Sequence, residues 1–502
     1  MILHIDGDVS RYYVQTLCMI FFPGSTFGQN EQLTDGVPEI KVSVYPDENG
    51  TQIAYASIKL NDRVCEAIAN VYPDEEISIA TPASLAVGRA LFAAGKEMLG
   101  NIPPWGILTG IRPAKVAASL LYNGKGRVRA KKILRDEHFL NPQKAALAVS
   151  VASNEIKILK KLQKNSCSLY ISIPFCPTRC AYCSFVSYTT KRLLSMIDEY
   201  LDALLCDIDK TIDTINKLKK KITTVYIGGG TPTTLNSLQM ERLLSHLSEK
   251  IDTFSLSEFT VEAGRPDTIT AEKLSILKKY GVSRISVNPQ TLNNDLLREI
   301  GRKHTAEDFY KAYNLALESG IKDINVDLIA GLPGDDFKSF SETLDKILEL
   351  HPTNLTVHSF CVKKAADLLK NNSDIYTLSS QEATKSVSYA QLEAKLAGYK
   401  PYYMYRQKNT IGNLENVGFS LDGHEGLYNI YMMEDVQTIF GVGAGAVTKL
   451  VITDPLDQKN TKIKRIFNPK YPYEYLEKLN SPALNQADFN DKFDEIFNFF
   501  NS

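Results

Sequence analysis

The pattern of hydrophobic and polar positions changes character along the 502 residues. Up to residue 60 it alternates with the period of a strand, over Met1–Ile5, Arg11–Ile20, Ile40–Val44 and, after the turn at Pro46–Gly50, Gln52–Leu60. From about Pro73 apolar residues recur at helical spacing, most clearly over Leu85–Leu99, and charged helical sequence continues to about Lys164. The loop Asn101–Gly106 interrupts it and holds the single tryptophan, Trp105. Beyond Ser168, short apolar runs alternate with amphipathic stretches. The runs are Leu169–Ile173, Thr223–Ile227, Glu258–Glu262, Arg284–Val287, Ile324–Ile329 and Asn354–His358. Six strand–helix units in series predict a parallel α/β sheet with right-handed crossovers, either doubly wound or curved into a partial barrel. In both arrangements the chemistry belongs at the C-terminal ends of the strands. Residues 361–420 predict two helices and a polar, tyrosine-rich segment, Pro401–Lys408. The glycine-dense stretch Phe440–Val447 follows, and the charged, aromatic tail predicts capping helices. The expected domains are an N-terminal α+β accessory domain over 1–165, a β/α domain over 166–365 and a C-terminal α-rich extension over 366–502 that covers the substrate side.

Composition narrows the function classes. With 44% hydrophobic and 23% charged residues, the chain can bury a large core without disulfides or metal to hold it. A net charge of −1 gives no polycationic footprint, so nucleic acid is not an expected partner. No apolar stretch approaches the ~18 residues of a membrane span. Asp6 and Asp8 stand where an export signal would be basic and then apolar, so a cytoplasmic location is expected. Eight cysteines are too few for a disulfide scaffold. Cys18, Cys65, Cys167 and Cys206 read as small apolar residues.

The other informative cysteines are not spread out. Cys176, Cys180 and Cys183 follow the first strand of the series at C-x3-C-x2-C spacing. Three thiolates on one short loop can hold three corners of a cubane [4Fe–4S] cluster and leave one iron open. A structural zinc site would want a fourth Cys or His nearby, and none lies in the following 20 residues. After the second strand comes Gly228-Gly229-Gly230-Thr231-Pro232, where consecutive glycines let a ligand approach the backbone and expose N–H groups to a carboxylate. Glu262 ends the third strand, in position to accept from an ammonium or ribose group. Gln290, Arg302 and Asp327 add polar groups at successive turns of the same rim.

With these motifs the chain resembles the radical S-adenosylmethionine (SAM) superfamily. Within it, YISIPFC…CAYCSF, YIGGGTPTTL, VEAGRPD, RISVNPQTL, GRKH and VDLIAGLPG resemble the oxygen-independent coproporphyrinogen dehydrogenase group. LTGIRPAK, YYMYRQKN and GNLENVGFS are similar to its HemZ-type branch. The resemblance implies a partial (β/α)6 barrel, a [4Fe–4S] cluster on Cys176, Cys180 and Cys183, and SAM on its open iron. Tyr170 would lie near the cofactor, and Tyr182 would fill the aromatic position before the last ligand. Gly229, Glu262 and Val447 would contact the cluster-bound SAM. Gly230, Thr231, Gln290, Arg302, Asp327 and Cys361 match positions that line a second SAM site in relatives. The implied reaction is removal of a propionate β-hydrogen from coproporphyrinogen III, then loss of CO2 and one electron to leave a vinyl group. It belongs to porphyrin and haem biosynthesis. An electron donor and an acceptor are required partners.

Two features depart from that group. The dehydrogenases read CxxxCxxCxC, whereas Phe185 stands at the fourth position here. A haem-chaperone branch also lacks that cysteine but carries HNxxYW, where this chain reads Tyr428-Asn-Ile-Tyr-Met-Met433. A haem-binding or haem-transfer role therefore stands beside the decarboxylase. A substrate with four propionates on an apolar macrocycle needs cations and aromatic walls. Lys363, Lys364, Arg406 and Lys408, with Tyr402, Tyr403 and Tyr405, are the candidates, against the alternative that Tyr402–Lys408 is a wet interdomain face.

Overall fold

The computed structural model describes residues 1–22, 25–27, 36–75, 81–100, 102–110, 112–183, 187–361, 373–407, 410–454, 457–480 and 485–501. The chain divides into two compact units, one of residues 1–154 with 404–415, the other of residues 155–403 with 416–502.

The first unit holds a four-stranded sheet in the order β1 (Ile2–Asp6), β2 (Glu39–Pro46), β3 (Gln52–Leu60), β4 (Arg63–Val71). β1 and β2 are parallel, and the other neighbours are antiparallel. The stretch expected as a strand from Arg11 is instead a helix, Arg11–Phe21, capped by the Ser10 side chain. Its buried residues Val14, Leu17, Cys18 and Phe21 recur at i, i+3, i+4 and i+7, so burial on a helical stripe overrides the strand preference of its aromatic and β-branched residues. A parallel β1–β2 pair also requires a crossover between them, which this helix supplies. The helix Pro82–Leu99 starts on the Thr81 cap and stops at Gly100, whose φ of 65° is left-handed. It packs against the Arg11–Phe21 helix so closely that a Cβ on Gly95 would lie 2.6 Å from the Phe21 ring. In the same unit, Glu415 is fully buried, ion-paired to Lys144 and accepting from Trp105 Nε1 at 2.7 Å.

The second unit is built on β5 (Ser166–Ile173), β6 (Lys221–Gly229), β7 (Glu258–Glu262), β8 (Arg284–Ser286), β9 (Asp323–Ala330) and β10 (Asn354–Ser359). These six are parallel and adjacent in sequence order. A doubly wound sheet would reverse that order at a switch point, so the serial order is that of a partial barrel. Strands buried on both faces carry few charges, and β5, buried along nearly its whole length, mixes apolar residues with small serines, which made it legible. Each crossover is a helix with its own start signal. The capping boxes Asn236/Gln239 and Thr305/Asp308 begin the helices Ser237–Lys250 and Ala306–Glu318.

The extension contains the helices Ser373–Leu396, Leu427–Glu434, Pro472–Asn480 and Asn485–Asn501, but also β11 (Lys400–Arg406), β12 (Glu415–Ser420), β13 (Thr438–Val442), β14 (Val447–Asp454) and β15 (Asp457–Phe467). These strands lengthen the barrel sheet at both edges, in the order β11-β12-β10-β9-β8-β7-β6-β5-β13-β14-β15. Of the four cysteines expected in apolar surroundings, Cys18, Cys65 and Cys167 are buried, whereas Cys206 is exposed. Among the described residues no helix is long and apolar enough to cross a membrane.

Candidate functional site

β5 leads through buried Phe175 into Cys176, whose N–H donates to Tyr188 O at 3.1 Å, while Tyr188 N–H returns to Pro174 O at 2.9 Å. The thiol loop is thereby closed at its base. Its far side is tied to the segment after β8, with Ala181 N–H donating to Ile300 O at 3.0 Å. Gly301 is needed there: its φ is +76°, and a Cβ would meet Arg179 O at 3.1 Å. The Thr231 hydroxyl lies 3.3 Å from Cys176 Sγ, and Arg265 Nη1 donates to Cys180 Sγ at 3.6 Å. Burial pushes the Cys176 thiol up, the Thr231 hydroxyl pulls it back, and charge on Cys183 and Cys180 pushes it up again. The charges of Cys183 and Cys180 thus reach Cys176, but among the described residues no three Cys, His, Asp or Glu side chains are grouped as a metal site would be.

The glycine segment forms the next wall. Gly230 N–H donates to Ile173 O at 2.8 Å, and Thr231 N–H to Phe175 O at 2.8 Å. A Cβ on Gly230 would sit 2.5 Å from Phe175 O and 3.0 Å from Cys176 Sγ, so only glycine leaves the thiol accessible. Glu262 accepts from Tyr226 Oη at 2.6 Å and from Gly229 N–H at 3.3 Å. Burial lifts its carboxyl to about 7, with the Tyr226 bond opposing the rise and the Asp327 charge adding to it. Below it Tyr226 stacks on Tyr428 at 4.4 Å and on Tyr170 at 6.2 Å between ring centres.

Beyond β8, Gln290, at a left-handed φ of 71°, bridges to one edge of β9 around Leu328, with its N–H on Asp327 O and its carbonyl accepting from Ile329 N–H. Its side-chain Oε1 is buried without a partner among the described residues. Asp327 accepts from Asn288 Nδ2 at 2.7 Å and Asn325 Nδ2 at 2.6 Å. Burial raises the Asp327 carboxyl, but the bond and charge of His358 outweigh it, and the net shift is downward. Arg302 is buried, donating to Tyr182 Oη at 3.1 Å and to the carbonyls of Gly264 and Asn288 at 3.1 and 2.7 Å. Cys361 is half-buried just past β10. Val447 opens β14 beside Gly441, which pairs with Tyr170.

The candidates for substrate contact fare differently. Tyr402 and Tyr403 are buried in β11 rather than on a wet face, and Tyr403 fills the space above Gly418. Arg406, in the first unit, is 5% exposed; its guanidinium lies 5.6 Å from the Trp105 ring and donates to Leu108 O and Asn413 Oδ1. Burial lowers it to about 10. That placement buries Arg406 within its unit, with Nη1 and Nη2 on protein acceptors and Nε without one among the described residues. Lys363, Lys364, Lys408 and Phe185 lie outside the described residues. Sequence reasoning passed over Arg265, Tyr226, Asn288, His358 and Tyr428. Arg265, Tyr226 and Asn288 fall inside or beside motifs already noted; His358 and Tyr428 gain meaning only from the neighbours that the barrel brings to them.

A [4Fe–4S] cluster and SAM fit these residues. Three thiols on one loop, the missing Cβ at Gly230, the buried carboxylate of Glu262 and Gln290 Oε1, unpartnered among the described residues, are what a thiolate-bound cluster and a cationic, polar ligand require. Cys176, Cys180 and Cys183 would hold the cluster, with Arg265 near its charge.

The family model of the radical SAM superfamily matches residues 170–347. The chain is 40% identical over 382 residues to the oxygen-independent coproporphyrinogen-III oxidase-like protein HemZ of Bacillus subtilis, covering 76% of this chain and 75% of the relative. It is 35% identical over 280 residues to the heme chaperone HemW of the same organism, covering 56% and 70%. The coproporphyrinogen III oxidase HemN of Escherichia coli, a radical SAM enzyme, superposes with a TM-score of 0.50 at 22% identity, over 65% of this chain and 71% of that one. The thiol loop, the barrel and these likenesses agree: the chain belongs to the radical SAM superfamily and, within it, to the HemZ-type group, with a [4Fe–4S] cluster and SAM as its cofactors.

Proposed function

We propose that the protein carries out oxygen-independent oxidative decarboxylation of coproporphyrinogen III, converting two propionates in turn to vinyl groups and yielding protoporphyrinogen IX. The observation that carries this reading is the rim itself. Thiols, Glu262, Gln290, Arg302 and Asp327 are gathered at the C-terminal ends of one partial barrel, in a chain 40% identical to a coproporphyrinogen-III oxidase-like relative. When bound, cluster and SAM together supply one-electron chemistry that ends in abstraction of a hydrogen atom from substrate. The chain's own residues position and insulate. Glu262 would take an ammonium or ribose donor, Gly229 and Gly230 admit the ligand to the backbone, and Arg302 locks Tyr182 beside the last thiol. The substrate loses a β-hydrogen atom, then CO2 and one electron, which an external acceptor removes.

Coproporphyrinogen III deuterated at the propionate β-carbons tests this. Deuterium should appear in the 5′-deoxyadenosine formed under anaerobic turnover; deoxyadenosine formed without deuterium would overturn the reading. A second reading, haem handling, is favoured by the 35% identity to a heme chaperone. Against it stands Tyr428, whose ring is buried in the tyrosine stack where the chaperone motif begins with histidine. Stoichiometric haem binding without porphyrinogen turnover would favour that second reading.

A further inference from the structure

The glycine turn between β13 and β14 runs through Gly441, Gly443 and Gly445, two of them at left-handed φ values of 90° and 71°. Such a turn is costly to order, since glycine loses the most backbone freedom. It is ordered against the end of β5. Ser172 Oγ donates to Ala444 O at 2.7 Å, Ala444 N–H donates to Tyr200 Oη at 2.9 Å, and Tyr200 Oη donates to Ser172 O at 2.8 Å. A Cβ on Gly443 would lie 2.6 Å from Tyr200 Oη and 2.8 Å from Ser172 O. Ser172 is in turn 3.2 Å from where a Gly229 Cβ would point, so the turn abuts the glycine segment of the site.

What secures the other side of the turn comes from the C-terminal tail. Asp207, on the helix Ile197–Lys217, has no exposed surface. Its Oδ2 accepts from Gly443 N–H at 3.1 Å, Asn468 Nδ2 at 3.3 Å and Tyr475 Oη at 2.9 Å. Its Oδ1 accepts from Thr211 at 3.4 Å and from the Lys492 ammonium at 3.2 Å. Lys492, on the helix Asn485–Asn501, also donates to Gly441 O at 3.0 Å. Asn468 adds a bond to Gly443 O at 2.9 Å, and Gly445 N–H donates to Pro469 O at 2.8 Å. A buried ammonium on a buried carboxylate is retained only where its geometry is fully satisfied, as it is here.

We propose that Lys492 is a positioning residue for SAM: through Asp207 and Gly441 it fixes the 441–446 turn beside Ser172 and Val447, so that docking of the C-terminal helix and binding of SAM are coupled. The proposal rests on Val447 and the glycine segment belonging to the SAM site. Coupling is reciprocal, so whatever the docked helix adds to SAM binding, SAM adds to helix docking. A purely structural tail would stabilise the unit without this exchange.

The test uses the full-length protein with its cluster reconstituted under anaerobic conditions, and SAM without porphyrinogen. Addition of SAM should slow amide hydrogen exchange within 485–501, although that helix carries no residue assigned to the ligand. Lys492→Met should retain full iron and sulfide, bind SAM at least tenfold more weakly, and lose the SAM-dependent slowing. If Lys492→Met fails to hold its cluster, Tyr475→Phe, which removes one donor to Asp207 and leaves the ion pair, should weaken SAM binding two- to fivefold with iron intact. Unchanged exchange on adding SAM, or unchanged SAM affinity in whichever variant retains its iron, would overturn the proposal. Because porphyrinogen is absent, either result leaves the decarboxylase reading to its own test.

Discussion

At the scale of residues, Glu262 is a carboxyl that burial displaces well away from its behaviour in water. Burial holds its carboxyl at about 7, against about 4.3 in an unfolded chain. Between those values the folded protein keeps a proton that the unfolded chain releases. The associated stability is complete below the unfolded value and is lost as pH rises through about 7. A bound ammonium reverses the preference, because it pairs with the ionised form. SAM affinity should therefore rise with pH up to about 7 and level off above it. Glu262→Gln should be flat across that range and, at pH 8, weaker by about 10-fold to 100-fold, the worth of a charge-assisted hydrogen bond. Equilibrium SAM binding at several pH values checks this, and a pH slope surviving in Glu262→Gln would assign the titration elsewhere. The cysteines, Gly230 and Glu262 were all visible in the sequence, because metal-ligand spacing and glycine runs next to a strand are local signals. The surroundings of Arg406 were not legible, for the converse reason. Its sequence neighbours suggested a propionate site, but its acceptors, Leu108 and Asn413, and the ring of Trp105 were set by tertiary packing.

At the scale of elements, the short helix Leu427–Glu434 is placed by a charge at its start. Glu258 accepts from Leu427 N–H at 2.7 Å and Tyr428 N–H at 3.2 Å, and lies 3.4 Å from Arg284 Nε. Arg284 further pairs with Asp323 at 3.2 Å, and Asp323 Oδ1 lies 2.5 Å from His424 Nδ1. This network spans the N-terminal ends of β7, β8 and β9, the stability end of a β/α barrel. Removing one partner of a buried, hydrogen-bonded charge costs about 3–5 kcal/mol. Glu258→Ala should lower unfolding stability by about that amount in denaturant melts, and it should loosen Tyr428 from the tyrosine stack. A loss under about 1 kcal/mol would mean that solvent, rather than Glu258, caps the helix. β5 was readable because a strand buried along nearly its whole length carries few charges. Arg11–Phe21 was not, since its residues favour strands and only its buried stripe, Val14, Leu17, Cys18 and Phe21, betrays the helix. β11 and β12 were hidden for a related reason: their tyrosines and polar residues are buried by partners distant in sequence.

At the scale of the whole molecule, the second unit places a reactive rim at one end of its barrel strands and a charged, structural network at the other. Residues beyond the barrel strands pack against it: the helix Leu427–Glu434 supplies Tyr428 to the tyrosine stack, and Lys492 in the tail bonds Gly441 O. The first unit contains its own buried ion pair, Lys144–Glu415, and its own four-stranded sheet. The six parallel strands followed from the sequence because serial β/α units allow few topologies, whereas the units alone left a doubly wound sheet and a partial barrel open until the sheet order decided it. The substrate end did not follow from the sequence, because Lys363, Lys364 and Lys408 lie outside the described residues and the surroundings of Tyr402, Tyr403 and Arg406 are set by tertiary packing. The central claim is therefore decided by product. Reconstituted protein is incubated anaerobically with SAM, a low-potential reductant, an electron acceptor and coproporphyrinogen III, and the porphyrinogens are weighed by mass spectrometry. Products lighter by one and then two formic-acid equivalents are predicted. Porphyrinogen of unchanged mass alongside accumulating 5′-deoxyadenosine would contradict the claim.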